Sequence, residues 1–185
     1  MPRPSPPASQ RLRLVTSADE AVPTSLDPED VYRCFSRYVA VIAHRIMGNP
    51  EDADDVLQDV FVDFQRSRKR IREPKAVRGW LATATVRIAR RRLWRRRFLG
   101  LIGLDDPDYR EVADAAASPE HRAEITTLYR MLDSVPPGPR TAWVLRRVHG
   151  ASLQEVVEYC GVSLATAKRW VSTVDGRVGE VFRDE

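Results

Sequence analysis

Fourteen lysines and arginines lie between residues 66 and 97, with Glu73 the one acid among them. The fourteen residues before that stretch, 50–63, have the opposite character: six acids (Glu51, Asp52, Asp54, Asp55, Asp59 and Asp63) and no lysine or arginine. A strongly basic helix attracts phosphates and releases their counterions. An acidic helix beside it is repelled by nucleic acid, so it suits a basic protein partner or its own basic neighbours. Within the basic stretch, Arg87, Arg90, Arg91 and Trp94 recur at i, i+3, i+4 and i+7, which places them on one helix face, and Arg95 borders it. An aromatic ring among cations is the composition of a single-strand surface: the ring stacks an unpaired base while the cations hold the backbone.

A second group of polar residues lies near the C-terminus. Ser152-Leu153-Gln154-Glu155 is a capping box, Gly161 suits a tight turn, and Ser163 caps a following helix. Two short helices so joined form a helix-turn-helix. In the second, Ala167, Val171 and Val174 face inward at helical spacing. Ala165, Lys168, Arg169 and Ser172 share the opposite face, whose width and polarity suit a major groove. Spacing leaves open whether Lys168 and Arg169 meet base edges or phosphates.

The elements that position these residues are helical. Asp27-Pro28-Glu29-Asp30 and Asn49-Pro50-Glu51-Asp52 are both helix starts. The stripe Val31, Phe35, Tyr38, Val39, Ile42 and Ile46 follows the first, and Gly48 closes it. Val56, Leu57, Val60, Phe61 and Phe64 follow the second. A third helix runs from about Ala76 to Phe98, with Val77, Trp80, Leu81, Ala84 and Ile88 inward. Residues 99–117 are acidic and broken by Gly100, Gly103 and Pro107, as in a flexible linker. Ser118-Pro119-Glu120 opens another helix carrying Ile125, Leu128, Tyr129 and Leu132. The prolines 136, 137 and 139 imply a sharp break before a helix with Trp143, Val144, Leu145 and Val148. Strand periodicity is absent, so the fold class is all-α. The expected divisions are a basic tail at 1–26, a helical domain at 27–98, the linker at 99–117 and a helix-turn-helix domain at 118–183.

Composition narrows the function classes. The chain has 185 residues, 43% hydrophobic and 30% charged, with a net charge of +4. That permits one ordinary domain or two small ones. Cys34 and Cys160 stand far apart, which argues against a disulfide framework or a cysteine metal site and suits a reducing cytosol. There is no Gly-rich phosphate loop and no Ser–His or Cys–His motif, and His44, His121 and His149 are scattered. We therefore expect no enzyme, no cofactor and no metal. No apolar run reaches the roughly 18 residues that span a bilayer, and the N-terminus lacks the apolar core of a secretory signal. A cytoplasmic protein without membrane insertion is the expectation.

These motifs carry a resemblance. Residues 49–61, Asn-Pro-Glu-Asp-Ala-Asp-Asp-Val-Leu-Gln-Asp-Val-Phe, closely resemble region 2 of the extracytoplasmic function (ECF) sigma factors, and Gly79-Trp80-Leu81 with the arginine-rich helix is similar to its continuation. Val135-Pro136, Arg140, the run 150–156 and the run 161–168 resemble region 4 of that family. The resemblance implies a non-enzymatic subunit that binds core RNA polymerase and directs it to promoters. It implies that Asp55, Gln58 and Asp59 bind polymerase. It implies that Arg87, Arg90, Arg91, Trp94 and Arg95 bind and open the −10 element. It implies that Ala165, Thr166, Lys168, Arg169 and Ser172 read duplex DNA at −35. Family members are often covered by an anti-sigma factor, a further possible partner. Where this family usually has Asn and Asp, the chain has Arg87 and Arg91, which strengthens phosphate binding and alters base choice. Two other functions fit parts of the pattern. One is a helix-turn-helix regulator that needs no polymerase. The other is a sigma-like adaptor that binds polymerase without melting DNA. The acidic helix speaks against the first, and Arg87 with Arg91 is the best support for the second.

Overall fold

The computed structural model describes residues 25–71, 73–101, 109 and 118–183. The expected tail, apart from its last two residues, and most of the expected linker lie outside that set. Seven α-helices occupy the described residues: α1 (Pro28–Met47), α2 (Pro50–Ser67), α3 (Val77–Leu101), α4 (Pro119–Asp133), α5 (Pro137–Trp143), α6 (Leu153–Cys160) and α7 (Leu164–Val181). A π-helical segment, Val144–His149, continues α5. No strand occurs among the described residues, as the all-α expectation required.

The helix starts follow their capping chemistry. The side chains of Asp27, Asn49, Ser118, Ser152 and Ser163 each accept a backbone N–H of the first turn. Those N–H groups have no intrahelical acceptor, so each cap satisfies a donor otherwise left bare. At Ser152 the box is reciprocal: Glu155 Oε2 accepts the Ser152 N–H at 2.7 Å. Proline explains one difference from expectation. Pro137 and Pro139 do not merely break the chain; they sit in the first turn of α5, where a missing N–H costs nothing.

Helix α3 is the centre of the structure. Val77, Leu81, Ala84 and Ile88 are buried as the stripe predicts, and so are Ala82, Val86, Ala89 and Leu93. One flank packs on α1 and α2, the other on α5 and α6. A single amphipathic stripe therefore understates its burial. The helix also runs on to Leu101, three residues past its expected end, so residues 99–101 belong to α3 and not to the linker. Buried residues of the first three helices and of the later ones form one apolar cluster.

Where α1 meets the π-helical segment, Arg45 Nη1 lies 2.9 Å from His149 Nδ1. Burial, with Arg45 and Arg78 nearby, pushes the His149 pKa down to about 4. The ring is thus neutral in the folded protein and accepts from Arg45. Between its unfolded value, about 6.5, and about 4, the unfolded chain binds the extra proton, so acidification through that window lowers stability. We expect wild type to lose up to about 3 kcal/mol more than His149→Gln between pH 7 and pH 4. Denaturant melts of both proteins across that range measure the difference; parallel curves would dismiss it.

Candidate nucleic-acid and partner interfaces

The two faces of α7 divide as the helical spacing predicts. Ala167, Val171 and Val174 are buried, while Ala165, Lys168, Arg169 and Ser172 are exposed. Thr166 is half-buried, and its hydroxyl lies 2.9 Å from that of Ser163, so it supports the cap. The turn before α7 places Gly161 at φ 64°, a left-handed conformation that glycine adopts without strain. Asp175 ties α7 to the helix behind it. It accepts Trp143 Nε1 at 2.8 Å and two Arg147 nitrogens at 3.0 and 2.5 Å. Burial alone would raise its pKa, but the bonds from Arg147 and Trp143 hold it below the usual carboxylate value.

On α3 the five expected residues divide. Arg91, Trp94 and Arg95 are exposed, and neither arginine forms an ion pair among the described residues. Arg87 is exposed too, but it pairs with Asp63. Arg90 departs from the expected face. It donates to the Cys160 carbonyl at 3.0 Å, and its guanidinium lies 6.0 Å from the Trp170 ring centroid. The spacing placed Arg90 on the shared face and carried no sign of α6 and α7 covering it. It also missed Phe98. That ring is 66% exposed, one turn beyond Trp94 at 57%. With Arg95 and Leu99 the two rings line a shallow pocket. Two stacking rings bordered by free arginines match the composition of a single-strand platform more fully than Trp94 alone.

The acidic face of α2 is partly neutralised from within. Arg92 reaches across from α3, donating to Asp55 at 2.7 Å and to Asp59 at 2.9 Å. Spacing carried a signal for this: carboxylates one turn apart fit the two prongs of a guanidinium. Glu51, Asp54 and Gln58 remain exposed and unpaired among the described residues. The face therefore keeps a net negative charge. No group of three or more metal-ligating side chains occurs among the described residues, and no described helix is long and apolar enough to cross a membrane.

Comparison with known proteins bears on these surfaces. Residues 31–98 match the family described as Sigma-70 region 2, and residues 125–173 match Sigma-70, region 4. The chain is 31% identical over 156 residues to the ECF RNA polymerase sigma factor SigE of Mycolicibacterium smegmatis, covering 82% of this chain and 59% of that one. It is 28% identical over 166 residues to the ferric citrate uptake sigma factor FecI of Escherichia coli, covering 84% and 91%. In fold it is similar to the sigma factor RpoE of Bartonella quintana, solved in complex with the anti-sigma factor NepR. The TM-score there is 0.63 at 16% identity, covering 84% of this chain and 96% of that one.

If Trp94 and Phe98 stack bases, each alanine substitution should weaken binding to a short single-stranded oligonucleotide by about 1–3 kcal/mol, with little sequence preference. Fluorescence anisotropy reads that loss. Unchanged affinity in both variants would remove the platform.

Proposed function

Because this chain belongs to the sigma-70 family, in its ECF group, we propose that it is a promoter-directing subunit of RNA polymerase. It binds core polymerase, brings it to specific promoters and helps to open the DNA there. It is non-enzymatic and cytoplasmic, and its partners are core polymerase and promoter DNA. The observation that carries this proposal is one chain bearing three separate surfaces: an acidic helix, a basic aromatic helix and a helix-turn-helix.

Each surface takes one task. The outer face of α2, with Asp55, Gln58 and Asp59, docks on a basic face of polymerase. Arg92 keeps the two carboxylates in one orientation while Gln58, Asp54 and Glu51 stay free. Arg87, Arg91, Trp94 and Arg95, joined by Phe98, hold the melted −10 strand. Arg90 joins them only after it leaves the Cys160 carbonyl. Ala165, Lys168, Arg169 and Ser172 read the −35 duplex, with Thr166 shaping the helix start. The likeness to a sigma factor solved with an anti-sigma factor supports such a protein as a further partner. A helix-turn-helix regulator would account for α6 and α7 but leaves the acidic helix without a task.

The test is run-off transcription from the DNA upstream of the chain's own gene, with core polymerase and with or without this protein. A discrete transcript that depends on the protein is expected. Polymerase binding without a transcript would favour the adaptor function, and neither would overturn the proposal. Lys168→Ala and Arg169→Ala should each weaken promoter binding; a lost bidentate base contact costs about 1–3 kcal/mol of discrimination. The pair Asp55→Lys with Asp59→Lys should abolish polymerase binding while helicity is kept.

A further inference from the structure

We infer that Leu164 is a base-reading residue, which selects a thymine of the −35 duplex through that base's C5-methyl group. This rests on the proposal above that α7 enters a major groove, and it names what the leading end of that helix recognises. An exposed leucine means little by itself. Its place here gives it meaning. Among the described residues of α6 and α7, Leu164 is the one large apolar side chain left exposed, at 46%. It is the first residue of α7. In helix-turn-helix proteins the N-terminal residues of the second helix are the ones that meet base edges.

Local structure does not call for a leucine there. The helix start is already satisfied: the Ser163 hydroxyl oxygen accepts the Thr166 N–H at 3.1 Å and lies 2.9 Å from the Thr166 hydroxyl. The apolar residue ahead of the cap is Val162, and it packs against the core, whereas Leu164 belongs neither to the core nor to the residues packed on it. Lysine, arginine or glutamine would favour the helix about as well. The first turn also holds no acid, so nothing there repels DNA. The outer face of α7 then continues in pairs four residues apart: Leu164 and Ala165, Lys168 and Arg169, Ser172 and Thr173, all exposed. Leu164 therefore stands one turn ahead of Lys168 on the same face.

The chemistry of the groove selects the base. Base edges there present hydrogen-bond donors and acceptors, and the thymine C5-methyl is the apolar group among them. A leucine forms no hydrogen bond. Against a G·C pair it strips water from donors and acceptors and returns nothing, which costs affinity. Against thymine it buries a methyl group. Four residues of α-helix span about 6 Å, close to two base-pair steps of about 3.4 Å. The apolar contact and the Lys168 contact thus fall on different base pairs. Leu164 reads its thymine whether Lys168 meets a base edge or a phosphate.

The experiment uses the full chain with core polymerase. The wild-type complex selects duplexes from a random pool, and the tightest becomes the probe. Each thymine is replaced in turn by uracil, which removes the C5-methyl and keeps every hydrogen-bonding group. Fluorescence anisotropy reads the affinity of wild type and Leu164→Ala, and far-UV circular dichroism checks folding. Wild type should lose about fourfold at one thymine, the worth of one buried methyl. Leu164→Ala should bind the thymine probe more weakly and lose less than twofold when that same thymine becomes uracil. A wild type indifferent to uracil at every thymine would overturn the contact. So would a folded Leu164→Ala that still loses fourfold at the same position, or one weakened equally on every probe. Either result leaves the proposed function standing. A complex that selects no common duplex removes the proposed function, and this inference with it.

Discussion

A single buried guanidinium holds the architecture together. The last carbonyls of α1 have no partner within their own helix, and left bare in a buried joint they would cost the fold dearly. Arg140 supplies the donors from α5, and Asp133 at the end of α4 balances its charge. Arg140 is buried and Asp133 half-buried, so removing the carboxylate would leave a buried cation without its counter-charge. The joint is thus specific before it is strong. It dictates which helix end meets which, and the positions of α6 and α7 against α3 follow from it.

Helix α3 sits between the two halves and packs on both. Most of its first half is buried, though Arg78 and Arg87 are exposed, and its last turns leave Arg91, Trp94, Arg95 and Phe98 outside. Alternate arginines along one helix meet different fates. Arg87 and Arg92 pair with the acids of α2, Arg96 turns into the joint, and Arg90 turns to α6. Charge that looks uniform in the sequence is sorted by the neighbour each face meets. The acidic and basic stretches therefore neutralise one another in part, and what remains free is the surface left for partners.

Most of the local structure was legible in the sequence because capping is local chemistry. Asp27, Asn49, Ser118, Ser152 and Ser163 all mark real helix starts, and the inward set Ala167, Val171 and Val174 follows from spacing alone. The exposed polar face of α7 was legible for the same reason. The joint was not. Arg96, Asp133 and Arg140 lie far apart in sequence, and no short-range period links them. The covering of Arg90 was hidden similarly, since it depends on a helix 70 residues away. Phe98 was within reach of spacing, one turn after Trp94, but an isolated aromatic at a helix end reads as easily as core.

Gly48 brings a genetic consequence. It closes α1 at φ 81°, and a Cβ there would fall onto the Tyr129 ring and within 2.9 Å of the Tyr109 ring. Helix α1 and its apolar stripe do not depend on those rings, but the joint does. Any side chain at this position must displace a tyrosine, on top of a modest backbone strain. One codon thus separates inheritance of the helices from inheritance of the packing between them. A lineage that lost this glycine would keep its helices and pass on a protein whose tyrosine pair must be repacked.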